Sequence, residues 1–275
     1  MKLEIKASAP YSLYSVIQSH GWSDLPPFNV LSKNSIAVGV SVGNRAIDCR
    51  VDAIKNGLVL EAKQINTNVS KAIRHMFRLE DTMQPFYAYA KSVGRTWIKK
   101  NQMGRMLRSQ TIFEDLVKMV LTTNCSWSFT KIMVERLVTT LGQKTPLGAS
   151  LFPTPEALAK KRERFYRDKI RAGYRSPHLQ KIGKLFSKNL IDTASWMDPM
   201  RDTQDIRKEI LSVPGAGAYV ADNMLKLMGR FEYLGIDSWV RKKLSMTDSE
   251  IKETYAPHGP YQGLILWCDV TRDWL

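Results

Sequence analysis

One segment, residues 211–244, constrains the fold more than any other part of this 275-residue chain. It reads LSVPGAGAYVADNMLKLMGRFEYLGIDSWVRKKL and predicts a helix, a Pro-Gly-Ala-Gly hairpin and a second helix. Gly215 and Gly217 can adopt backbone angles closed to other residues, so they can turn the chain and leave amide N–H groups pointing outward. Such groups at the start of a helix favour phosphate. A short connection then leads to Asp237, which would open a third helix. The segment therefore predicts a phosphate-binding hairpin with a carboxylate nearby.

The charge balance points to a polyanionic partner. The chain has 41 Lys and Arg against 26 Asp and Glu, a formal net charge of +15. A surplus of positive charge attracts and steers polyanions such as nucleic acids. The N-terminal residues have no long apolar core and no run of eighteen apolar residues occurs, so we expect neither a signal peptide nor a membrane span.

The cysteines argue against a metal cluster. Cys49, Cys125 and Cys268 are far apart and match no zinc-binding spacing. Three thiolates cannot supply the four ligands of an iron–sulfur cluster. We therefore expect no iron–sulfur cluster, no organic cofactor, and buried free thiols in a reducing compartment.

The first 80 residues predict a small antiparallel sheet with packed helices. Runs rich in β-forming residues occupy positions 2–7, 35–42, 46–53 and 58–63. Asn56-Gly57 lies between the last two runs and is a strong hairpin signal. Positions 11–20 and 68–77 are compatible with helices. We expect residues 1–80 to form one domain.

From about residue 82 onward the pattern is helical, and residues 81–275 are expected to form a second, mainly helical domain containing the hairpin at 211–228. The overall class is therefore α+β. The predicted helices lie at positions 83–101, 112–123, 126–141, 154–159, 162–172, 176–189, 202–211, 219–228, 238–244, 249–256 and 261–274.

The hairpin followed at this offset by Asp237 resembles the helix-hairpin-helix (HhH-GPD) DNA glycosylase superfamily. The order of a small sheet domain before a helical domain resembles its 3-methyladenine DNA glycosylase II and 8-oxoguanine DNA glycosylase branches. The resemblance implies a two-lobed glycosylase domain. It also implies phosphate binding at Val213, Gly215 and Gly217, and a Na⁺ or K⁺ ion at the backbone of Val213 and Gly215.

The resemblance assigns Asp237 as the catalytic residue. Cleavage of a glycosidic bond develops positive charge on the sugar, and a nearby carboxylate can stabilise this charge and position water. The same residue opens a helix, so an N-cap role is the structural alternative. The two roles are compatible, since a cap bond would fix the carboxylate.

Tyr219 departs from one branch of the family. In the 8-oxoguanine branch this position is a lysine whose amine forms a Schiff base with the sugar. Tyrosine cannot form this imine, and the 3-methyladenine branch has an aromatic residue that lines the base pocket. We expect the same for Tyr219, with a packed core aromatic as the alternative. Lys226, Lys242 and Lys243 are expected to face solvent or DNA.

Two further motifs resemble DNA-contacting parts of the family. Asn124, in a polar break between two apolar helices, matches the residue that fills the gap left by a flipped base. Tyr174 and Arg175 match a Gly-Tyr-Arg motif whose tyrosine wedges beside the estranged base and whose arginine contacts it. The alternatives are an ordinary helix–helix turn at Asn124 and a tyrosine that caps a helix pair. Trp127 and Trp239 are candidate walls of the base pocket, because aromatic faces attract an electron-deficient base.

These observations predict a monomeric DNA repair glycosylase acting on double-stranded DNA. It would flip an alkylated or oxidised purine and hydrolyse its N-glycosidic bond without strand cleavage, in a bacterial cytoplasm or a eukaryotic nucleus. One alternative is an 8-oxoguanine-type enzyme with a lost or relocated lysine. Another is a non-catalytic protein that binds damaged DNA.

Overall fold

A five-stranded antiparallel sheet forms at the N-terminus of the computed structural model, which describes all 275 residues. The strand order is β1-β5-β4-β3-β2. The strands are β1 (Lys2–Lys6), β2 (Phe28–Ser32), β3 (Ser35–Val42), β4 (Arg45–Ile54) and β5 (Gly57–Ala62).

The register of the sheet places one apolar row in its centre. Val51 of β4 pairs with Ile36 of β3 and with Leu60 of β5. All three side chains are fully buried. Successive side chains alternate between the faces of a strand, so this row defines the core face. Helix α1 (Leu13–Ile17) packs against β4, and α2 (Thr67–Met76) packs against β3.

The structure confirms the four predicted strands and adds one that the sequence pattern did not reveal. Strand β2 is an edge strand in which only Phe28 is buried. A strand with one buried position has no alternating pattern, so its apolar periodicity gives no signal.

The remaining helices lie in the region that the sequence predicts to be helical, residues 81–275. Seven helices of this region were predicted to within a residue at each end, those at 112–122, 127–141, 155–159, 203–211, 218–228, 238–244 and 248–255. The helices are α3 (Gln84–Ser92), α4 (Thr96–Lys100), α5 (Ile112–Thr122), α6 (Trp127–Leu141), α7 (Pro155–Ala159), α8 (Glu163–Phe165), α9 (Ser176–Ser187), α10 (Thr193–Trp196), α11 (Thr203–Leu211), α12 (Ala218–Met228), α13 (Ser238–Leu244), α14 (Asp248–Tyr255) and α15 (Gln262–Val270).

Several predicted boundaries were wrong for local reasons. The helix predicted at 83–101 is two helices, α3 and α4, because Gly94 adopts a positive φ of 78° between them. The helix predicted at 162–172 is α8 followed by a π-helical turn, Tyr166–Ile170. Helix α10 was not predicted. Its Trp196 is 1% exposed and donates a hydrogen bond to Glu209 at 2.7 Å.

The chain forms two compact units. Unit 1 comprises Met1–Glu114, Lys131–Thr154 and Leu275, and unit 2 comprises Asp115–Thr130 and Pro155–Trp274. The domain boundary near residue 80 rests on the change from strand to helix patterns and stays a prediction. None of the helices combines the length and the apolar character needed to cross a lipid bilayer.

Within unit 1, the buried guanidinium of Arg105 ties together segments distant in sequence. Arg105 is 1% exposed and donates to the carbonyls of Pro10 at 2.9 Å, Ser8 at 2.6 Å and Asp81 at 2.8 Å. Its guanidinium also lies 5.3 Å from the Tyr11 ring centroid. These three carbonyls lie outside the helices and strands, so the guanidinium of Arg105 supplies their hydrogen bonds.

Substitution of Arg105 by Met should destabilise the protein, because it leaves three carbonyls without their donor. We expect the free energy of unfolding to fall by about 3 kcal/mol or more. Denaturant unfolding of Arg105→Met, compared with Arg45→Met at an exposed position of β4, measures this. Equal stability of the two variants would contradict the anchoring role of Arg105.

Candidate functional site

A tight turn joins α11 to α12. The amide of Ala216 donates to the carbonyl of Val213 at 3.0 Å, which closes a four-residue turn with Pro214 and Gly215 at its centre. Gly215 has a φ of +84°. Proline followed by a residue with positive φ is the signature of a type II turn. The Pro-Gly pair therefore reverses the chain, as the sequence predicted.

The ring of His178 on α9 covers this turn. A Cβ added at Gly215 would lie 2.9 Å from the Cβ and Cγ atoms of His178. Glycine is thus required at position 215 for two reasons, the positive φ of the backbone and the close approach of the His178 imidazole. At Gly217 the φ is −86° and a Cβ added there would meet no atom within 4 Å, so its neighbourhood is open.

Helix α12 begins with uncapped amides. Gly217 is its N-cap residue and has no side chain to accept a hydrogen bond from the first turn. The N–H groups of a first helical turn have no partner inside the helix, and the helix dipole places positive charge there. The start of α12 is therefore suited to an anion, and phosphate is the anion that such sites bind best in nucleic-acid contacts.

An ion pair links the two helices of the hairpin. Arg207 of α11 donates to Asp222 of α12 at 2.6 Å, and both side chains are largely shielded from solvent. The guanidinium of Arg207 also lies 4.6 Å from the Tyr233 ring centroid. Ile206 and Ile210 of α11 are fully buried beside it. The two helices of the hairpin are therefore joined to each other and packed within unit 2.

A cavity of about 790 Å³ opens around the hairpin, entirely within unit 2. Its walls come from five parts of the chain and bring together most of the residues singled out by the sequence. They are residues 122–125, Tyr174 with His178, residues 211–220, residues 236–238 and Arg241.

Asp237 lines this cavity and caps α13. Its Oδ1 accepts a hydrogen bond from the amide of Val240 at 2.8 Å. No protein group donates to its second carboxylate oxygen. The N-cap role is therefore compatible with the predicted catalytic role, because the cap holds one oxygen and leaves the other available.

Tyr219 extends from the first turn of α12 into the same cavity. Burial raises the pKa of Tyr219, a hydrogen bond with Thr122 opposes this rise, and the negative charge of Asp237 adds to it. The phenol is thus neutral at physiological pH. It supplies an aromatic face and one hydroxyl beside the carboxylate, and no amine.

The loop between α5 and α6 places Asn124 at the cavity rim. Asn124 is exposed and has a φ of +46°. Its Nδ2 donates to the hydroxyl of Tyr174 at 3.2 Å, and the hydroxyl of Thr123 lies 2.9 Å from the same oxygen. Tyr174 is 54% exposed. The two predicted DNA-contacting side chains are therefore neighbours on the surface and are joined by a hydrogen bond.

Arg175 lies in a different environment from Tyr174. It is 3% exposed, and its guanidinium donates to the carbonyls of Thr123 and Ala172 and to the Thr123 hydroxyl. It also lies 4.4 Å from the Tyr174 ring centroid. Its donors are used inside the protein, where they hold the Asn124 loop against the Tyr174 segment. The predicted contact of Arg175 with DNA stays a prediction.

The two predicted tryptophan walls are not part of this cavity. Trp127 lies at the start of α6, and Trp239 lies on α13 two residues after Asp237. Trp239 packs against Trp267 and Trp274, with ring centroids 5.9 and 5.6 Å away. Trp239 remains 37% exposed. A role for either tryptophan in base binding stays a prediction.

Three wall residues were missed by the sequence reasoning. Thr122 lines the cavity together with Tyr219, His178 covers the hairpin, and Arg241 places a cation one helical turn beyond Asp237. The spacing of four residues between Asp237 and Arg241 could have revealed the last, because such residues share a helix face. No sequence pattern around His178 indicates its position, since it contacts the hairpin only in the tertiary fold.

Lys226 corrects an expectation drawn from the sequence. It was expected to face solvent or DNA, but it is 1% exposed. Its amine donates to the carbonyl of Leu234 at 2.9 Å and to Oδ1 of Asn223 at 3.2 Å. Burial lowers the pKa of Lys226 to about 8, against the opposing attraction of Asp222 and Asp237. Lys242 and Lys243, in contrast, are exposed as expected.

The chain has the fold of the helix-hairpin-helix DNA glycosylases, as comparison with solved structures shows. MBOgg1 in complex with a low-affinity DNA ligand superposes with a TM-score of 0.76 at 21% identity, over 99% of this chain and 95% of that chain. This confirms the predicted α+β fold class. Neither protein-family profiles nor curated protein sequences give any match to this chain.

Two further structures represent both branches named from the sequence. The 3-methyladenine DNA glycosylase of Archaeoglobus fulgidus gives a TM-score of 0.76 at 17% identity, covering 99% of this chain and 98% of that chain. The 8-oxoguanine glycosylase/lyase of Clostridium acetobutylicum, bound to DNA containing 8-oxoguanine opposite cytosine, gives 0.73 at 14% identity. That match covers 100% of this chain and 99% of the other. At these identities the shared property is the fold.

Substitution of the two hairpin glycines should have unequal effects on stability. Gly215→Ala forces a methyl group against His178 and strains a positive φ, so we expect a loss of about 1–3 kcal/mol in the free energy of unfolding. Gly217→Ala adds a methyl group in open space at an ordinary φ and should leave stability within about 0.5 kcal/mol. Denaturant unfolding of both variants measures the difference. A stable Gly215→Ala variant would contradict the described turn.

The buried amine of Lys226 should make stability depend on pH in a defined window. Its pKa is lowered from 10.5 to about 8, so between these values the unfolded chain binds more protons than the folded protein. The contribution of Lys226 to the free energy of unfolding therefore rises with pH across this window, by up to about 1.4 kcal/mol per pH unit. Denaturant unfolding of wild type and Lys226→Met at several pH values from 7.5 to 9.5 measures it. The difference between the two proteins cancels other titrations, and a difference independent of pH would contradict the shifted pKa.

Proposed function

We propose that this protein is a DNA base-excision glycosylase that flips a damaged purine out of double-stranded DNA and hydrolyses its N-glycosidic bond. The observation that carries the proposal is the cavity of unit 2 around the hairpin. It combines the amides at the start of α12, the carboxylate of Asp237, the phenol of Tyr219 and the exposed pair Asn124 and Tyr174. The named activities of proteins with this fold support it.

In this proposal the hairpin grips the DNA backbone and Asp237 performs the chemistry. A phosphate near the flipped nucleotide binds the N–H groups at the start of α12. The sugar then lies beside the carboxylate oxygen that has no protein donor. As the bond to the base breaks, positive charge develops on the sugar, and the carboxylate stabilises it and positions a water molecule.

A monovalent cation is proposed at the hairpin, held by the backbone oxygens of Val213 and Gly215. The Val213 carbonyl accepts one hydrogen bond, from Ala216, and retains a second lone pair. No protein group donates to the Gly215 carbonyl. Neutral carbonyl oxygens are the ligand type that hard cations prefer, so the residues fit such an ion, which would strengthen phosphate binding.

Tyr219 supports a hydrolytic reaction without strand cleavage. Imine formation needs an amine at the sugar, and the residue at this position is a neutral phenol. The enzyme is therefore proposed to be monofunctional, with Tyr219 as a wall of the base pocket. Trp127 and Trp239 are further candidate walls for an alkylated or oxidised purine, and the lesion itself is left open between these classes.

The surface pair Asn124 and Tyr174 is proposed to stabilise the distorted duplex. Asn124 would fill the gap in the stack and Tyr174 would wedge beside the estranged base. Base–aromatic stacking is worth roughly 1–3 kcal/mol per base, which offsets part of the unstacking cost. Arg175 would act on the DNA through the loop that it holds. The protein acts as a monomer in this proposal.

One observation favours a second candidate, an enzyme with a relocated lyase lysine. Lys226 is a buried amine of lowered pKa whose charge interacts with Asp237. However, its two hydrogen bonds are to protein acceptors, and it does not line the cavity. The structure therefore favours a different role for it. Borohydride trapping separates the two candidates, because only an imine is captured.

A panel of duplexes, each with one lesion, tests the proposed function. The lesions are a 3-methyladenine analogue, hypoxanthine, 7-methylguanine, 8-oxoguanine and uracil. We expect strand breaks with at least one purine lesion, and only after hot alkali, because base removal leaves an alkali-labile site. Breaks without alkali would show lyase activity. Tight DNA binding with no excision of any lesion would favour a non-catalytic damage-binding protein.

Asp237→Asn should abolish excision and preserve DNA binding. The asparagine side chain can still accept the hydrogen bond from Val240, so the cap and the stability of α13 should persist. Loss of the negative charge should lower the single-turnover excision rate by about 100-fold or more. Single-turnover kinetics and the DNA dissociation constant measure the two effects. Wild-type activity in this variant would exclude Asp237 as the catalytic carboxylate.

A further inference from the structure

Three polar residues of α12 form a line that ends in the protein interior. Tyr219, Asn223 and Lys226 are spaced at i, i+4 and i+7, so they lie on one face of the helix. Tyr219 lines the cavity, Asn223 is 8% exposed and Lys226 is 1% exposed. A lysine is rarely buried to this extent unless its amine is paired, so its environment needs an explanation.

The partners of this line belong to the short segment before Asp237. The Lys226 amine donates to the carbonyl of Leu234 at 2.9 Å. The Asn223 amide donates to the carbonyl of Tyr219 at 2.9 Å and also reaches the carbonyl of Gly235, at 3.5 Å. Lys226 in turn donates to the Asn223 oxygen at 3.2 Å, which fixes the orientation of that amide. The line therefore connects α12 to two successive carbonyls, two and three residues before the carboxylate.

The connection between α12 and the segment before Asp237 requires a glycine at position 235. It has a φ of +64°, and a Cβ there would lie 2.8 Å from the amide nitrogen of Asn223. The backbone thus runs directly over the Asn223 side chain in a conformation that few residues adopt. Without donors beneath it, this segment would carry buried carbonyls with no partner, which is costly.

An aromatic contact adds a link to the other side of Asp237. The Lys226 amine lies 5.3 Å from the Trp267 ring centroid. Trp267 packs against Trp239, whose ring centroid is 5.9 Å away. Trp239 stands on α13, two residues after Asp237. Lys226 is therefore connected to the chain both before and after the carboxylate, while its own amine stays outside the cavity.

We propose that Lys226 is a positioning residue that holds the segment 234–237 and so fixes the carboxylate of Asp237 at the sugar. The role in excision rests on the proposed function. The amine needs only two N–H donors for Leu234 and Asn223, and both its charged and its neutral form supply them. Its part is to place another group accurately, and a displacement of about 1 Å at a reacting group can cost 100-fold in rate.

Three variants test this role. Lys226→Met has a similar length and no donor, and Lys226→Gln keeps an N–H donor with a shorter reach. Lys252→Met is the matched control, since Lys252 is exposed on α14. The measurements are amide hydrogen exchange of peptides covering residues 234–241, single-turnover excision of the best lesion of the panel, and the DNA dissociation constant.

We expect Lys226→Met to raise hydrogen exchange in residues 234–241 and to lower the single-turnover rate about 10- to 100-fold. Its DNA dissociation constant should stay within about threefold of wild type, because the hairpin amides are untouched. Lys226→Gln should recover part of both losses, and Lys252→Met should match wild type. A role in stability alone would lower the melting temperature without this split between rate and affinity.

Other results would overturn the proposal. Unchanged exchange of residues 234–241 in folded Lys226→Met would show that the lysine does not hold this segment. Borohydride trapping that occurs in wild type and is lost in Lys226→Met would assign the amine as a nucleophile. If wild type excises no lesion, the proposed function fails, yet the exchange measurement still decides whether Lys226 fixes the segment.

Discussion

The backbone of Gly215 determines where the candidate site can form. Its positive φ reverses the chain between α11 and α12 within a single turn, and the imidazole of His178 closes over the space that a side chain would occupy. Because the reversal is this tight, α12 starts with its first amides uncovered at the cavity. Tyr219 then enters the cavity from the first turn of α12, and Asn223 and Lys226 follow on the same face.

Asp237 shows how one residue could serve both the fold and the proposed reaction. A carboxylate at the start of a helix is stabilised by the first amides and by the helix dipole. Here only one oxygen is used in this way, while the other lies at a cavity that also holds hairpin amides and a neutral phenol. The folding interaction therefore orients the group without consuming it. The segment before it, supported from α12, adds a second constraint on its position.

The sequence predicted the parts of this protein whose structure is set by local chemistry. The hairpin, the N-cap at Asp237 and four strands are examples, because turn residues, capping residues and apolar alternation act over a few neighbouring positions. Strand β2 was missed because an edge strand with one buried residue has no pattern. The break at Gly94 was missed because glycine inside a helical pattern is ambiguous.

The candidate site was less predictable where it depends on tertiary contacts. Lys226 was expected to face solvent or DNA and Arg175 to contact DNA, since no sequence pattern around either residue indicates burial. Their environments arise from carbonyls of segments that the fold brings to them, Leu234 in one case and Thr123 in the other. His178 likewise meets the hairpin from a separate helix. Lys242 and Lys243 are exposed as expected, and Lys243 forms an ion pair with Asp273 at 2.7 Å.

The hydrogen bond between Asn124 and Tyr174 has a consequence for how the proposed enzyme would search DNA. Both side chains are exposed, and the bond restricts their rotamers before any duplex is met. Ordering two flexible surface side chains on contact would cost conformational entropy at every encounter, about 0.5–1.5 kcal/mol for each. Because the hydrogen bond already orders both side chains, the pair would contact each base step in one fixed conformation. Discrimination between sound and damaged steps would then rest on the strength of stacking in the DNA itself.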